Sequence, residues 1–353
     1  MEGVLLSGLG ELSFSSARPS LKLEDLDARV SHLQAHALEK STVGGYSTGA
    51  RDYIRFCLRH QIPLDPTPKT LARYIAYTSL AIASGPKYLT GARHFLHDLY
   101  PSFDDNRASP LVQATIRGSK KVRADPVRRK QPLRLEHLSA FIEAAHHTHN
   151  YDDLLFSTIM SCCFYGCHRS GELVLKGKKE FDWRKIIKRS SLHFTPGYVG
   201  YRLPYHKSDP FYCGTDILFA AQDIADPVSL LSEYVARRDA LHGVRRALFL
   251  REDGSHPTRS WFDAKLFSFV DKSFGGHSAR AGGATFYAAL GLSESIIMAL
   301  GRWSSKAFKI YIRDNPSVRA ALQLAALRRH YASASRYIIS HHLHPTSLHY
   351  SLL

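Results

Sequence analysis

Residues 277–314 read HSARAGGATFYAALGLSESIIMALGRWSSKAFKIYIRD, and this stretch decides the fold. His277 and Arg280 stand three apart, so on a helix they share a face. Gly275 and Gly276 ahead of them leave room for an anion at the helix start, where free N–H groups already favour negative charge. Trp303 carries an indole N–H that can donate to a phosphate oxygen, and Tyr311 offers a phenolic nucleophile. Each has a plainer reading: a capping histidine, a core tryptophan beside Gly301, a packed aromatic among 18 tyrosines.

Two segments upstream complete a chemical set. Arg169 in CHRSGEL follows the apolar run LLFSTIMSCCFYGCH, so its backbone is expected to be buried and rigid. A guanidinium fork held in that way suits two phosphate oxygens at once. Glu172, three residues on, can orient it, or form a simple surface ion pair. Lys207 in YHKSDP ends an alternating segment just before a turn, where it can act as general acid to a leaving oxygen or merely protect a sheet edge. Attack on a phosphodiester requires cations on the nonbridging oxygens, a proton donor and a positioned nucleophile. The ordered set Arg169, Lys207, His277, Arg280, Trp303 and Tyr311 supplies all three, and no one segment would carry that reading alone.

Helical spacing of Tyr46, Ala50, Tyr53, Ile54 and Cys57, then of Leu71, Tyr74, Ile75 and Thr78, then of Tyr88, Ala92, Phe95, Leu96 and Leu99, predicts a small helical domain over residues 26–120. Residues 1–25 lack a period and read as a flexible leader. Residues 121–132 form the core of a basic linker whose cations are Arg117, Lys120, Lys121, Arg123, Arg128, Arg129 and Lys130. It reads as a strand lying along DNA, because like charges repel unless phosphates accept them; a solvated face or nuclear-import signal is the plainer alternative. Beyond it, helices are expected at 135–145 and 154–164. Val199, Tyr201, Leu203 and Tyr205 then alternate as a strand of a small antiparallel sheet, which Pro204 would confine to an edge. Further helices follow at 227–241, 259–271, 277–290, 294–301 and 305–312. Val318, Ala321, Leu322 and Ala325 mark an apolar stripe on a tail helix within a domain spanning 133–331, with residues 332–353 as a tail.

The chain has 353 residues, 47 Lys and Arg against 31 Asp and Glu, and a formal net charge of +16. That excess favours phosphate backbones, although an acidic protein or membrane surface would also attract it. Five cysteines, three of them in one apolar run, argue against a disulfide framework and for a reducing compartment. With no basic start before an apolar run and no apolar stretch of ~18 residues, a soluble intracellular protein is expected. Adjacent acid pairs such as Asp104-Asp105 cannot face one metal ion, and GHSAR lacks the second Gly of a nucleophile elbow. The clusters around His146 and His341 read as solvated.

On CHRSGEL, YHKSDP, HSAR, GRWSS and KIYIRD, the chain resembles the tyrosine recombinases of the phage-integrase superfamily over about residues 30–330. In flavour it is closest to those of eukaryotic mobile elements. The resemblance implies a mainly α fold with a small antiparallel β-sheet: an N-terminal SAM-like helical domain and a catalytic domain forming a C-shaped clamp on double-stranded DNA. It implies Arg169, Lys207, His277, Arg280, Trp303 and Tyr311 as the site, with Glu172 at the acidic position after the first Arg. It further implies a 3′-phosphotyrosine intermediate, no need for ATP or metal, and a homo-oligomer, a tetramer, on DNA. The tail helix would dock on a neighbouring protomer, and a nuclear location is expected for a eukaryotic element. Trp303 and Tyr311 are eight apart where many bacterial members have nine, which bears on delivery of Tyr311 in cis or in trans. The other classes considered are a topoisomerase-like relaxing enzyme and a domesticated DNA-binding protein that has lost strand transfer.

Overall fold

The computed structural model describes residues 21–125, 129–177 and 181–313; at Tyr311 and Arg313 the description is of the backbone. The chain divides into two compact units, Met1–Val127 and Arg128–Leu353.

In the first unit, α1 (Leu23–Ala35) buries no residue. It begins inside the stretch expected to be an unstructured leader. The remaining helices are α2 (Lys40–Arg59), α3 (Pro68–Ser79), α4 (Gly85–Leu96), α5 (Phe103–Ala108) and α6 (Pro110–Arg123). Thr67 starts α3, its hydroxyl accepting from the Thr70 N–H with Pro68 in the first turn. Tyr53, Phe56, Cys57, Leu71, Tyr74, Ile75, Leu89, Ala92 and Leu96 form the core. Phe95 and Leu99, expected on the inner face of α4, are 46% and 73% exposed, because Leu89 rather than Phe95 completes that face.

The second unit is built round α8 (Tyr151–Tyr165), which is buried on nearly every side. The run from Leu154 to Tyr165 has no polar stripe, so only a central position satisfies it. Its hydroxyls are paired inward: Ser157 donates to the Phe141 carbonyl at 2.9 Å on α7 (Leu135–Thr148), and Ser161 to the Ala225 carbonyl at 2.6 Å. After α8 comes the single turn α9 (Ser170–Leu173), then β1 (His193–Thr195), β2 (Tyr198–Leu203) and β3 (Thr215–Ala220). The sheet is antiparallel in the order β1-β2-β3, with Tyr201 opposite Ile217. β2 is therefore the central strand, not an edge. Pro204 lies just past its end, where it removes no ladder bond.

Helices α10 (Pro227–His242), α11 (Arg259–Phe267), α12 (Ser278–Ala289), α13 (Glu294–Leu300) and α14 (Lys309–Arg313) follow. α12 packs on α8 at Gly283, where an added Cβ would overlap the Phe164 carbonyl oxygen. α14 packs on α12, and Phe308, in the turn just before α14, is buried with Ala284 and Ala288 of α12. The Val318–Ala325 stripe and the 332–353 tail lie outside the described residues.

The contact at Gly283 yields a stability prediction. Gly283→Ala cannot be relieved by a side-chain shift, because the obstacle is backbone, and should destabilise by about 3 kcal/mol. Gly44→Ala, with open space round it inside α2, should be neutral or stabilise by a few tenths of a kcal/mol. Thermal unfolding of the two full-length variants beside the parent measures this; equal melting temperatures would refute the packing account.

Candidate active site

The chain leaves α8 through Gly166, turns at Cys167 in the left-handed region (φ 46°), and passes His168 before reaching Arg169. Arg169 heads α9, so Glu172 comes back over it one turn later. Its carboxylate accepts from Arg169 Nη1 at 2.9 Å and from the Arg169 backbone N–H at 3.3 Å. Glu172 is thus ion-paired with Arg169, and the pair is no surface pair: the Glu172 side chain is 5% exposed. The Arg169 side chain keeps 24% exposure.

Two residues that sequence reasoning missed share that carboxylate. His168, fully buried, lies 3.0 Å from Glu172 Oε2 through Nδ1 and 2.9 Å from the Tyr201 hydroxyl through Nε2. The ionised Glu172 carboxylate can only accept, so the neutral His168 ring carries its proton on Nδ1 and its Nε2 accepts from the Tyr201 O–H. Burial and then the Arg302 guanidinium push the His168 imidazole down to about 4, so it is neutral at ordinary pH. Arg302 donates to Glu172 Oε2 at 3.1 Å and to the Gly166 carbonyl at 3.1 Å, with its side chain 6% exposed. Burial alone would raise the Glu172 carboxyl, but His168, Arg302 and Arg280 outweigh it and hold the group well below the usual carboxylate range.

α12 brings the second half of the site. His277 is its N-cap and faces solvent, while Arg280 in the first turn is 1% exposed. Arg280 donates to the Cys167 carbonyl and, at 2.6 Å, to that of Gly301. Its guanidinium lies 4.0 Å from the Trp303 ring centre. Desolvation, followed by the charge of Arg169, brings Arg280 down to about 10. Desolvation and then Arg169, Arg280 and Arg259 lower His277, which favours its neutral imidazole. Two guanidiniums, those of Arg169 and Arg302, pair with the one carboxylate of Glu172 and a third, Arg280, lies within its field, so the centre keeps a net positive charge.

The space expected at Gly276 for an approaching anion is taken by Arg259, whose guanidinium occupies the place of a Cβ there. Arg259 bonds Ser170 Oγ at 2.7 Å and Asp263 at 2.8 Å, tying the start of α11 to the residues beside Arg169 and His277. Only its position before Gly276 in space reveals it; nothing in its sequence neighbourhood does.

The chain reverses at Arg302 (φ 54°), which turns Arg302 inward and lays Trp303 over Arg280. Arg302, not Trp303, stands nine positions before Tyr311, and that spacing was the signal for it. Lys207 is exposed at a turn in the β2–β3 connection. Tyr311 lies in α14, which packs on α12. Of the basic linker, Arg117, Lys120, Lys121 and Arg123 belong to α6 rather than to an extended strand. Arg123 is already paired with Asp125 and the Ser79 carbonyl. Arg129 donates to the Ile310 carbonyl at 3.4 Å, next to Tyr311, and Lys130 to the Lys272 carbonyl. Arg128 lies outside the described residues. Among the described residues no group of His, Cys, Asp or Glu is placed to hold a metal.

No family model matches the sequence, and no match to a curated protein was found. Solved structures do match. The XerH site-specific recombinase bound to a palindromic difH substrate, in a post-cleavage complex, aligns at a TM-score of 0.50 and 15% identity over 74% of this chain and 71% of that one. The Tn1549 transposon integrase in complex with transposon right-end DNA gives 0.49 and 12% over 83% and 94%, and a lambda integrase dimer bound to a COC′ core site 0.46 and 16% over 82% and 94%. The chain has the tyrosine recombinase fold: helices with a small three-stranded antiparallel sheet.

The buried His168–Glu172 pair makes stability depend on pH. The unfolded chain protonates His168 near its ordinary value, while the fold keeps it neutral to about 4. Stability is therefore full above pH ~6.5 and falls as pH drops toward 4, by on the order of 3 kcal/mol; loss of the Glu172 charge extends the fall at lower pH. In His168→Gln the decline between these values should flatten. Denaturant unfolding across that range tests it, and an unchanged slope in the variant would show that other groups carry the dependence.

Proposed function

We propose that the chain is a DNA strand-transfer enzyme, a site-specific recombinase or integrase that cleaves and rejoins DNA through a 3′-phosphotyrosine. The observation that carries this reading is the gathering of Arg169, His277 and Arg280 from two helix starts into one electropositive centre that a single carboxylate does not neutralise. A phosphodiester monoanion is the natural occupant.

In the proposed step the Tyr311 oxygen attacks phosphorus, the P–O5′ bond breaks, and a P–O bond to tyrosine forms. Neutral His277 can accept the tyrosine proton, and the Lys207 ammonium can supply one to the leaving 5′ oxygen. Arg169 stabilises the developing charge on the nonbridging oxygens, its free donors presented while Nη1 is anchored on Glu172. Attack by another strand's 5′-hydroxyl reverses the step. Because bond energy stays in the phosphotyrosine, the reaction as proposed needs neither ATP nor metal. Assembly on DNA as a homo-oligomer, action on a mobile element and a nuclear location belong to the same proposal. The second reading, a clamp that binds DNA without chemistry, predicts binding with no covalent product.

Covalent trapping tests the reading. Full-length protein is mixed with supercoiled plasmid and fragmented genomic DNA in EDTA and denatured with SDS. The parent should leave a protein–DNA adduct, Tyr311→Phe none, and Arg169→Ala at least ~100-fold less. DNA binding without adduct in all three, on nicked substrates as well, would sink the strand-transfer assignment and favour the silent clamp.

A further inference from the structure

We infer that Phe211 is a stacking platform for an unpaired DNA base beside the phosphate served by Lys207; this rests on the strand-transfer reading above. Phe211 and Lys207 share the connection between β2 and β3, and that connection is built as two turns. Lys207 and Ser208 sit in a turn closed by the Asp209 N–H on the His206 carbonyl at 2.8 Å, with the Ser208 N–H on His206 Nδ1 at 3.3 Å. Phe211 precedes the second turn, in which Tyr212 adopts φ 59° and Gly214 φ 75°. The Asp209 carboxylate spans both, accepting from the Cys213 N–H at 3.1 Å and the Gly214 N–H at 2.7 Å. One side chain thus fixes the lysine turn relative to the phenylalanine turn.

The residue after Phe211 is pinned from below. The Tyr212 ring lies 4.7 Å under the Arg184 guanidinium and 5.2 Å from the Tyr205 ring, which Lys185 Nζ covers at 4.4 Å. Arg202 donates to the Cys213 carbonyl at 2.5 Å. A left-handed tyrosine is a strained backbone held by its surroundings, and strain of this kind clusters where a neighbouring side chain is being aimed. The side chain so presented, Phe211, is 84% exposed. With the backbone on either side of it fixed, an outward phenylalanine loses less order on binding than one on a loose loop and gains by covering its face.

The charge around it selects the partner. Arg184, Lys185 and Arg202 contact the connection that carries Lys207; Arg184 is paired with Asp182 and Arg202 with Asp216, and Asp209 is spent on backbone N–H groups, so Lys207 and Lys185 supply the excess positive charge. Exposed aromatic surface within a cationic field suits nucleic acid, with the bases on the ring and the phosphates on the cations. An unpaired base, rather than a duplex, offers a π-face. Strand transfer creates such bases, because the freed 5′ end must leave its old partner before it can pair with a new one. A ring on the same rigid connection as the proton donor to that 5′ oxygen would hold the nucleotide through the exchange.

The experiment compares the full-length protein on a fully paired duplex and on the same duplex with a short mismatched bubble, at one salt concentration, by anisotropy. The parent should prefer the bubble roughly tenfold, the order of one base–aromatic stack. Phe211→Ala should lose that preference and keep its affinity for paired DNA, whereas Phe211→Trp should keep it and show its added emission quenched by the bubble alone. Preference retained in Phe211→Ala, absence of preference in the parent, equal loss on both DNAs, or an unquenched tryptophan would each overturn the inference. If the parent binds neither DNA, the strand-transfer reading falls with it. A bubble preference that depends on Phe211, found together with no covalent adduct, would leave the stacking site standing and remove only the chemistry.

Discussion

A single buried carboxylate, Glu172, holds the candidate site together. It meets Arg169, Arg302 and His168 from three directions within 3.1 Å while being 5% exposed. Buried charges are tolerated when paired and costly when a partner is removed. Loss of Glu172 would leave the guanidinium of Arg302 buried without a counter-ion and that of Arg169 without an anchor. The carboxylate also reaches, through His168 and Tyr201, into the central strand β2. That strand leads through Pro204 to Lys207, so the sheet and the arginine loop are joined by one hydrogen-bonded chain.

What makes this chain possible is the burial of α8. A helix enclosed on all sides fixes where its last turn ends, and Arg280 and Arg302 both bond carbonyls there, at Cys167 and Gly166. Those carbonyls are free because the helix has ended and Cys167 has turned left-handed. Two arginines thus satisfy the orphan acceptors of one helix terminus, and in doing so set the places of α12 and of the Arg302–Trp303 turn. Arg259 repeats the device at the other side, bracing Ser170 and filling the space over Gly276. Positioning here is a by-product of closing helix ends in a dry interior.

Most of the secondary structure could be read from the sequence, since the apolar periods at Tyr53, Leu71 and Tyr201 are set by burial on one face and the unbroken run from Leu154 by burial all round. The edge assignment of β2 failed because Pro204 was counted inside a strand that stops at Leu203. The extended reading of Arg117–Arg123 failed because a run of like charge says nothing against a helix with Val112 and Ile116 on its inner face. At the candidate site, Glu172 was legible beside Arg169 from its three-residue spacing, whereas His168 and Arg302, which share its carboxylate, were not. His168 and Arg302 make contacts that depend on two left-handed residues, Cys167 and Arg302 itself, and no spacing rule encodes such a turn. The nine-residue interval to Tyr311 falls on Arg302, but the eight-residue interval from Trp303 was read as bearing on delivery of Tyr311 instead.

The cost of the arrangement bears on the choice between chemistry and binding alone. Phosphate attraction needs only exposed cations, and α6 offers them in Arg117, Lys120 and Lys121. The centre instead buries Arg280 until its guanidinium falls to about 10, keeps His168 neutral, and leaves the Nε of Arg302 buried with no acceptor among the described residues. The buried Arg280 and the unmet Nε of Arg302 lower stability, the neutral His168 lowers it below pH ~6.5, and none adds affinity for a duplex lying on the surface. Strain and unmet polar groups of this kind cluster at active sites, ligand clamps and switches rather than on surfaces that merely attract phosphate.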